Sequence, residues 1–209
     1  MFSFDEPEFR RRAAEKLLVL PPVSHGRSDD DLNPLARIFP ENARPREAAV
    51  LVPIIRREPE LTVLLTQRTE HLKSHSGQVA FPGGKIDADD EDPVAAALRE
   101  AEEETGLAGS FVEPVGFLDG YLTSTAFHVV PVVALVRPGF VISPEPNEVA
   151  DVFEVPLRFL MSPGNHQRHS REWQGRKRFY YAMPYEQRYI WGATAGMIKN
   201  LYDRLYATP

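Results

Sequence analysis

The 209 residues predict one α/β or α+β domain, a mixed sheet with two or three helices packed on it. Three observations carry that expectation. The composition, 43% hydrophobic and 26% charged, is that of a globular chain with a sizeable core and argues against global disorder. A series of short apolar runs bounded by proline, glycine and charged clusters reads as strands. Two segments with apolar residues at helical spacing, near residues 92–106 and 193–205, read as helices with one buried face.

In chain order, "PEFRRRAAEKLL" reads as a short amphipathic helix. Residues 19–47 hold five prolines and the run "SDDD", and are expected to be an irregular connection that wraps the domain or reaches a partner chain, as in a homodimer. The organisation expected is therefore an N-terminal helix and irregular connection over 1–47, then the main domain over 48–209. "AAVLVPII" and "LTVLLTQR", separated by "RREPE", predict a hairpin. "QVAFPGGK" reads as a strand ending in a glycine turn, and "FVEPVGFLDG" and "AFHVVPVVALV" as further strands. "FEVPLRFLMSPG" reads as a strand running into a helix, and "REWQGRKRFYYAMPY" as a hairpin turning at Gly175. The last segment places Ala193, Met197, Ile198, Leu201 and Leu205 on one helical face.

Charge narrows the partners. A net charge of −6 argues against a general electrostatic grip on nucleic acid or an anionic membrane. The absence of cysteine removes disulfides, thiolate metal sites and cysteine nucleophiles, and fits a reducing compartment. The start, "MFSFDEPEFRRR", lacks the basic-then-apolar order of a signal peptide. Apolar stretches such as "VVPVVALV" are far below the roughly 18 residues a membrane helix needs. A cytoplasmic protein without a nucleic-acid or membrane partner is expected.

The acidic stretch "ALREAEEETGL" is the chemical centre of the sequence. Asp92 is placed as an N-cap, Pro93 at the first helical position, and Gly106 as the left-handed terminator. Val94, Ala97, Leu98 and Ala101 form an apolar stripe, and Glu100, Glu103 and Glu104 fall on an arc of about 100° beside it. Nine acids lie between residues 87 and 104, against Arg99 within that span and Lys85 just before it. Such a run is often a solvated face, since like charges at this spacing repel. The glycine turn in "FPGGK", whose Gly84 lies 16 residues before Glu100, alters the balance. Gly83 and Gly84 offer close backbone approach to a phosphate or metal, and clustered oxygen ligands suit magnesium, calcium or manganese.

Gly84, Glu91 and "REAEEETGL" from Arg99 to Leu107 resemble the Nudix box, G-x5-E-x7-R-E-U-x-E-E-x-G-U with U aliphatic. The second half fits fully, while six residues rather than five separate Gly84 from Glu91. Residues 64–84, "LLTQRTEHLKSHSGQVAFPGG", resemble the signature of the coenzyme A diphosphatase branch, LLTxR[SA]x3Rx3Gx3FPGG. Thr66, Arg68, Gly77, Phe81, Pro82, Gly83 and Gly84 are in register. Thr69 replaces serine or alanine, and Lys73 replaces an arginine whose bidentate fork it cannot supply.

What the resemblance implies is a Nudix fold, a mixed sheet sandwiched between helices, and metal-dependent hydrolysis of a nucleoside diphosphate derivative. Within that branch, the substrate is coenzyme A or its thioesters, with 3′,5′-ADP and 4′-phosphopantetheine or its acyl form as products. An ADP-ribose or dinucleotide diphosphatase, or a non-catalytic nucleotide-binding module, are the alternatives; the intact acidic triad favours catalysis. Glu100, Glu103 and Glu104 are expected to hold Mg²⁺ or Mn²⁺. Arg99 is expected to orient them, with Glu91 as its partner. Arg68 and Lys73 are placed to meet substrate phosphates, or else lie on a solvated strand end and loop. The resemblance also implies a carboxylate on a later loop. Of Glu145, Glu148, Asp151 and Glu154, Glu148 follows the turn-forming "PN" and is expected to face the site as base or ligand. Glu154 and Glu145 are expected to face solvent.

Other candidates carry less. His71 with His75 and His166 with His169 lack a third ligand for zinc and are expected to be surface or loop residues. Ser124 and Thr125 have no nucleophile elbow around them. Tyr180, Tyr181, Tyr185 and Trp191 offer faces for adenine, though aromatics in a hairpin more often serve as core or strand pairs.

Overall fold

The strands over residues 46–55 and 127–136 lie side by side in parallel through ten paired positions, and their apolar runs, 48–55 and 129–136, are buried but for half-buried Val50. Strands buried on both faces need apolar residues at every position rather than alternate ones, which is what these runs supply. The computed structural model describes residues 3–35, 44–71, 76–173 and 175–207. Its elements are α1 (Glu6–Lys16), β1 (His25–Ser28), β2 (Arg46–Ile55), β3 (Thr62–Arg68), β4 (Val79–Ala80), β5 (Gly83–Lys85), α2 (Pro93–Thr105), β6 (Val112–Phe117), β7 (Gly120–Leu122), β8 (Phe127–Val136) and β9 (Val149–Pro156). Then follow α3 (Leu157–Leu160), β10 (Gln167–Trp173), β11 (Arg176–Tyr185), β12 (Arg188–Trp191) and α4 (Ala193–Leu205).

The main sheet is mixed, ordered β1-β7-β8-β2-β3-β4, with β5 on β2, β6 on β8 and β9 on β3; β10-β11-β12 form a second, antiparallel sheet. Side chains alternate across each central strand. From β2 and β8, Ala49, Leu51, Ile55, Val130, Val132 and Val136 face α2 and its alanines. Ala48, Val52, Ile54, Val129, Val133 and Leu135 face the opposite layer, which α1, α3 and α4 cover. This is the helix–sheet–helix sandwich expected from the sequence.

Four expectations change in detail. Among the described residues there are four α-helices, because α1 and the single turn of α3 both pack on the core. The β2–β3 hairpin pairs at Ile54–Val63 and Ile55–Thr62 and then splays, as β2 turns to β5 and β8 while β3 takes β4 and β9. Gly83 and Gly84 are not a turn: they form β5, paired with Val50 and Ala49. Within the connection expected to be irregular, His25–Ser28 forms β1, parallel to β7. The residues after β1 reach across to the second sheet: the Asn33 side chain both accepts from and donates to the Phe179 backbone, and Arg178 pairs with Asp30 at 2.6 Å.

Asp119 ties α4 to the main sheet. Its carboxylate accepts from Asn200 Nδ2 at 2.7 Å and from Arg204 Nε at 2.9 Å. The Arg204 bonds hold the Asp119 carboxyl below the usual carboxylate range despite partial burial. A depressed carboxyl stabilises the fold above its unfolded pKa of about 3.9 and loses that contribution as pH falls through the folded value. Asp119→Asn should therefore cost about 1 kcal/mol at pH 7, the site being partly exposed. The gap between mutant and wild type in denaturant titrations should narrow below about pH 4; a gap independent of pH would contradict this role.

Candidate active site

α2 begins as its sequence dictates. Asp92 Oδ1 accepts from the backbone of Val94 and Ala95, both at 2.8 Å, Pro93 starts the first turn, and Gly106 closes the helix at φ 74°. Ala96, Ala97 and Ala101 are buried against the sheet. Small residues on the helix and glycines on β5 bring the two backbones close, and carboxylates one turn apart meet the strand directly. Gly83 N–H donates to Glu104 Oε2 at 3.1 Å. At Gly84, a Cβ would stand 2.5 Å from the Glu100 carboxyl group, so the missing side chain is the space Glu100 occupies.

Arg99 is the hub of the rim. Its Nε and Nη2 donate to Asp90 at 3.0 and 2.9 Å, and Nη1 donates to Glu100 at 3.1 Å and Glu103 at 3.2 Å. Glu91, the expected partner, is exposed; Asp90 takes its place beside Arg99. Five residues separate Gly84 from Asp90, so the extra residue of this loop lies after the arginine's carboxylate rather than before it. The Arg99 bonds hold the Asp90 carboxyl down at about 2.

The carboxylates facing β5 are under strain of charge. Burial pushes Glu104 up to about 7, against the pull of the Gly83 N–H and of Arg68, with the Glu100 and Glu148 charges adding to the push. Burial likewise raises Glu100, opposed by Arg99 and reinforced by Glu103 and Glu148. Glu103 is mostly exposed. Glu148 sits where its charge is felt by both, on the loop before β9, and that loop is pinned from two sides. Thr69 donates from its backbone to Glu148 O at 3.0 Å and from its hydroxyl to Asn147 O at 3.1 Å, while Glu145 N–H donates to Glu104 O at 3.0 Å.

Arg68, at the end of β3, approaches Glu104 at 3.4 Å and lines the adjoining cleft; Lys73 lies outside the described residues. Asp151 pairs with Arg188, and Glu154 is not solvent-facing as expected: Arg57 and Thr62 hold it at the sheet edge. Glu145 is half-buried, and its side chain accepts from Asn147. His71 is exposed, His75 lies outside the described residues, His166 bonds to Leu160 O and His169 to Tyr189. Ser124 presents its backbone N–H, not a nucleophilic hydroxyl, to Asp29.

Among the described residues no three acidic or histidine side chains close on a common point. Arg99 holds oxygens of Glu100 and Glu103, while Gly83 and Arg68 hold Glu104. The donor set nevertheless suits a hard divalent cation. Glu100, Glu103 and Glu104 all offer carboxylate oxygens, and the raised Glu100 and Glu104 mark like charges that a cation would offset.

A cleft of ≈ 500 Å³ opens beside this rim, between β5, the segment after β1, the second sheet and the start of α4. Six basic side chains line it: Arg27 and Lys199 pair with Asp203, Arg178 with Asp30 and Arg68 with Glu104, while Lys85 and Arg171 have no acidic partner among the described residues and favour an anionic ligand. Sequence reading missed Asp90, because one loop residue decides which acid meets Arg99. It also missed Arg171 and Trp173, whose only signal is the alternation His169, Arg171, Trp173 along one strand.

A family model described as NUDIX domain matches residues 45–179. A Shigella flexneri protein named uncharacterized Nudix hydrolase NudL is 41% identical over 185 residues, covering 87% of this chain and 96% of that protein. The protein of the same name from Yersinia pestis (strain Pestoides F) is 44% identical over 164 residues, covering 78% of this chain and 82% of that protein. Among solved structures, the C. elegans Ap4A hydrolase binary complex is similar with a TM-score of 0.46 and 20% identity, over 53% of this chain and 80% of that one. On the family model and the two curated relatives, the chain belongs to the Nudix hydrolases, enzymes that act on diphosphate bonds and generally use divalent metal ions.

Proposed function

We propose that this hydrolase cleaves the diphosphate of coenzyme A or its thioesters, releasing 3′,5′-ADP and 4′-phosphopantetheine or its acyl form. One observation carries the reading: the residues of the coenzyme A signature gather at one place. Arg68, Phe81, Gly83 and Gly84 all line the cleft where it meets the Glu100–Glu104 rim. The rest of the signature holds them there. Thr66 donates to Ala80 O at 3.2 Å, Pro82 O accepts from Leu51 N–H at 2.9 Å, and Gly77 adopts φ 66°, which its lack of a side chain permits. The basic lining suits a ligand with a diphosphate and a further phosphate.

In this reading Glu100, Glu103 and Glu104 hold Mg²⁺ or Mn²⁺ at the rim, and Arg99 fixes the rotamers of Glu100 and Glu103 from behind. A divalent ion there supplies charge neutralisation at the diphosphate and acidifies nearby water. Arg68 faces the phosphates from the β3 side. Glu148 accepts the proton of the attacking water as oxygen adds to one phosphorus; the bridging P–O bond then breaks, and two phosphomonoesters leave.

Glu104→Gln should keep the Gly83 bond and, since burial already penalises the charge, leave Tm no lower while cutting turnover roughly 100-fold or more. Glu103→Gln should fall similarly, with partial rescue by added Mg²⁺. Glu148→Gln should lose kcat at saturating Mg²⁺ with its half-saturation unchanged. Wild-type rates for Glu103→Gln and Glu104→Gln in limiting Mg²⁺ would remove the metal assignment.

The two glycines of β5 should behave differently. Gly84→Ala displaces only the flexible end of Glu100, so stability should change by less than about 1 kcal/mol while the Mg²⁺ half-saturation rises about tenfold. Gly83→Ala meets Ala49 O at 2.4 Å and Val50 Cα at 2.6 Å at φ +152°, and should cost about 2–4 kcal/mol. Chemical denaturation with Mg²⁺-dependent kinetics distinguishes the pair.

Coenzyme A should exceed ADP-ribose and NADH in kcat/KM, and its 3′-dephospho form by roughly 10–100-fold, the worth of one charge-assisted contact. Product identification by mass spectrometry checks the bond cleaved. Preference for ADP-ribose would overturn the coenzyme A assignment.

A further inference from the structure

We propose that the cleft-facing surface of the second sheet, around Arg171, Trp173 and Trp191, binds the nucleoside arm of the substrate, the base against the indoles and the 3′-phosphomonoester on Arg171. The inference rests on the diphosphatase reading above and names which wall takes which end.

Strand register puts these residues together. His169 and Arg171 of β10 lie opposite Tyr180 and Arg178 of β11, and Ala182 of β11 lies opposite Trp191 of β12. Alternate positions along a strand and directly opposed positions across it share one face. On that face the Arg171 guanidinium carbon stands 5.0 Å from the Trp191 ring centroid and 5.5 Å from that of Trp173. Tyr180 meets Trp191 edge-on at 5.2 Å.

Two observations separate this face from ordinary strand packing. Tyr181 and Tyr185 of the same strand pack on the hydrophobic core, whereas Tyr180, Trp173 and Trp191 belong to neither core cluster, and Trp173 is 45% exposed. Arg171 makes no hydrogen bond or ion pair with any described residue, while its neighbour Arg178 is paired with Asp30. A cation held beside two indoles and facing a cleft is complementary to a planar base whose attached ribose carries a phosphate. The pantetheine arm, a flexible aliphatic amide with no ring and no fixed charge, matches neither feature. The same cleft reaches Gly83 and Gly84, so a ligand seated here leads to the carboxylate rim.

Trp173 and Trp191 are the two tryptophans of the chain, so intrinsic fluorescence reports this face directly. The full-length protein in EDTA, where nothing is turned over, is titrated with 3′,5′-ADP, AMP and 4′-phosphopantetheine. Saturable quenching by 3′,5′-ADP is expected, with AMP at least about tenfold weaker and 4′-phosphopantetheine silent. Arg171→Gln should bring 3′,5′-ADP to the affinity of AMP, and Arg171→Lys should restore part of the difference. In turnover, Arg171→Gln should raise KM for coenzyme A about tenfold, leave kcat within about threefold, and leave KM for the 3′-dephospho form nearly unchanged. No quenching by any adenine nucleotide in a protein that hydrolyses coenzyme A would overturn this subsite alone. Normal quenching in a protein that leaves coenzyme A intact would overturn the substrate reading and keep the subsite. Quenching by 4′-phosphopantetheine in place of the nucleotides would reverse the assignment of the arms and overturn the proposal.

Discussion

The close approach of α2 to β5 is the constraint on which the rim depends. Gly83 and Gly84 remove two side chains from the strand, and Ala96, Ala97 and Ala101 keep the facing helix thin. The bare Gly84 leaves the space that the Glu100 carboxyl occupies, and the bare Gly83 lets β5 lie close on Ala49 and Val50 of β2 while its N–H donates to Glu104. The same closeness is why these acids are uncomfortable. Burial raises both; the Glu100 charge adds to the push on Glu104, and the Glu148 charge adds to the push on each. Arg99 partners Glu100, and Gly83 with Arg68 partners Glu104, yet both carboxyls stay raised, which supports the proposal that they serve a ligand.

Arg99 pairs with Asp87, Asp90, Glu100 and Glu103, four of the nine acids of this region. Through Asp90 it fastens the loop after β5, and through Glu100 and Glu103 it sets two carboxylates along the helix edge. A second tie works at greater sequence distance. Asp29 accepts from Tyr121 and from the Ser124 N–H on the main sheet, and Asp30 and Asn33 hold Arg178 and Phe179 on the second sheet. The segment after β1 thus spans both sheets across one side of the cleft, which gives the run "SDDD" a structural task.

What sequence reading recovered follows from the range of the forces involved. The caps Asp92, Pro93 and Gly106, the helical faces and the two central strands are local patterns, and all appear as expected. The Arg99 partner was misassigned because Asp90 and Glu91 are equivalent in chemistry and only the loop path chooses between them. β1 was invisible since "HGRS" carries no strand pattern of its own and its partner β7 lies about ninety residues away. Glu154 was read from alternation as solvent-facing, but Arg57 and Thr62 supply a partner that no local pattern announces. Two adjacent glycines signal close approach and a turn alike; that they form a strand comes from pairing with β2, a contact between distant segments.

The central claim is that the face between β5 and α2 gathers a divalent ion. Paramagnetic Mn²⁺, titrated at substoichiometric amounts into ¹⁵N-labelled protein, tests this without turnover, because it broadens amide signals steeply with proximity. The account expects broadening centred on Gly83, Gly84 and the turn from Glu100 to Glu104, reaching Glu148, with the amides of β10 and β12 spared. Broadening spread evenly over the acidic surface, or centred on Asp87 to Asp92 with Gly84 unaffected, would contradict it.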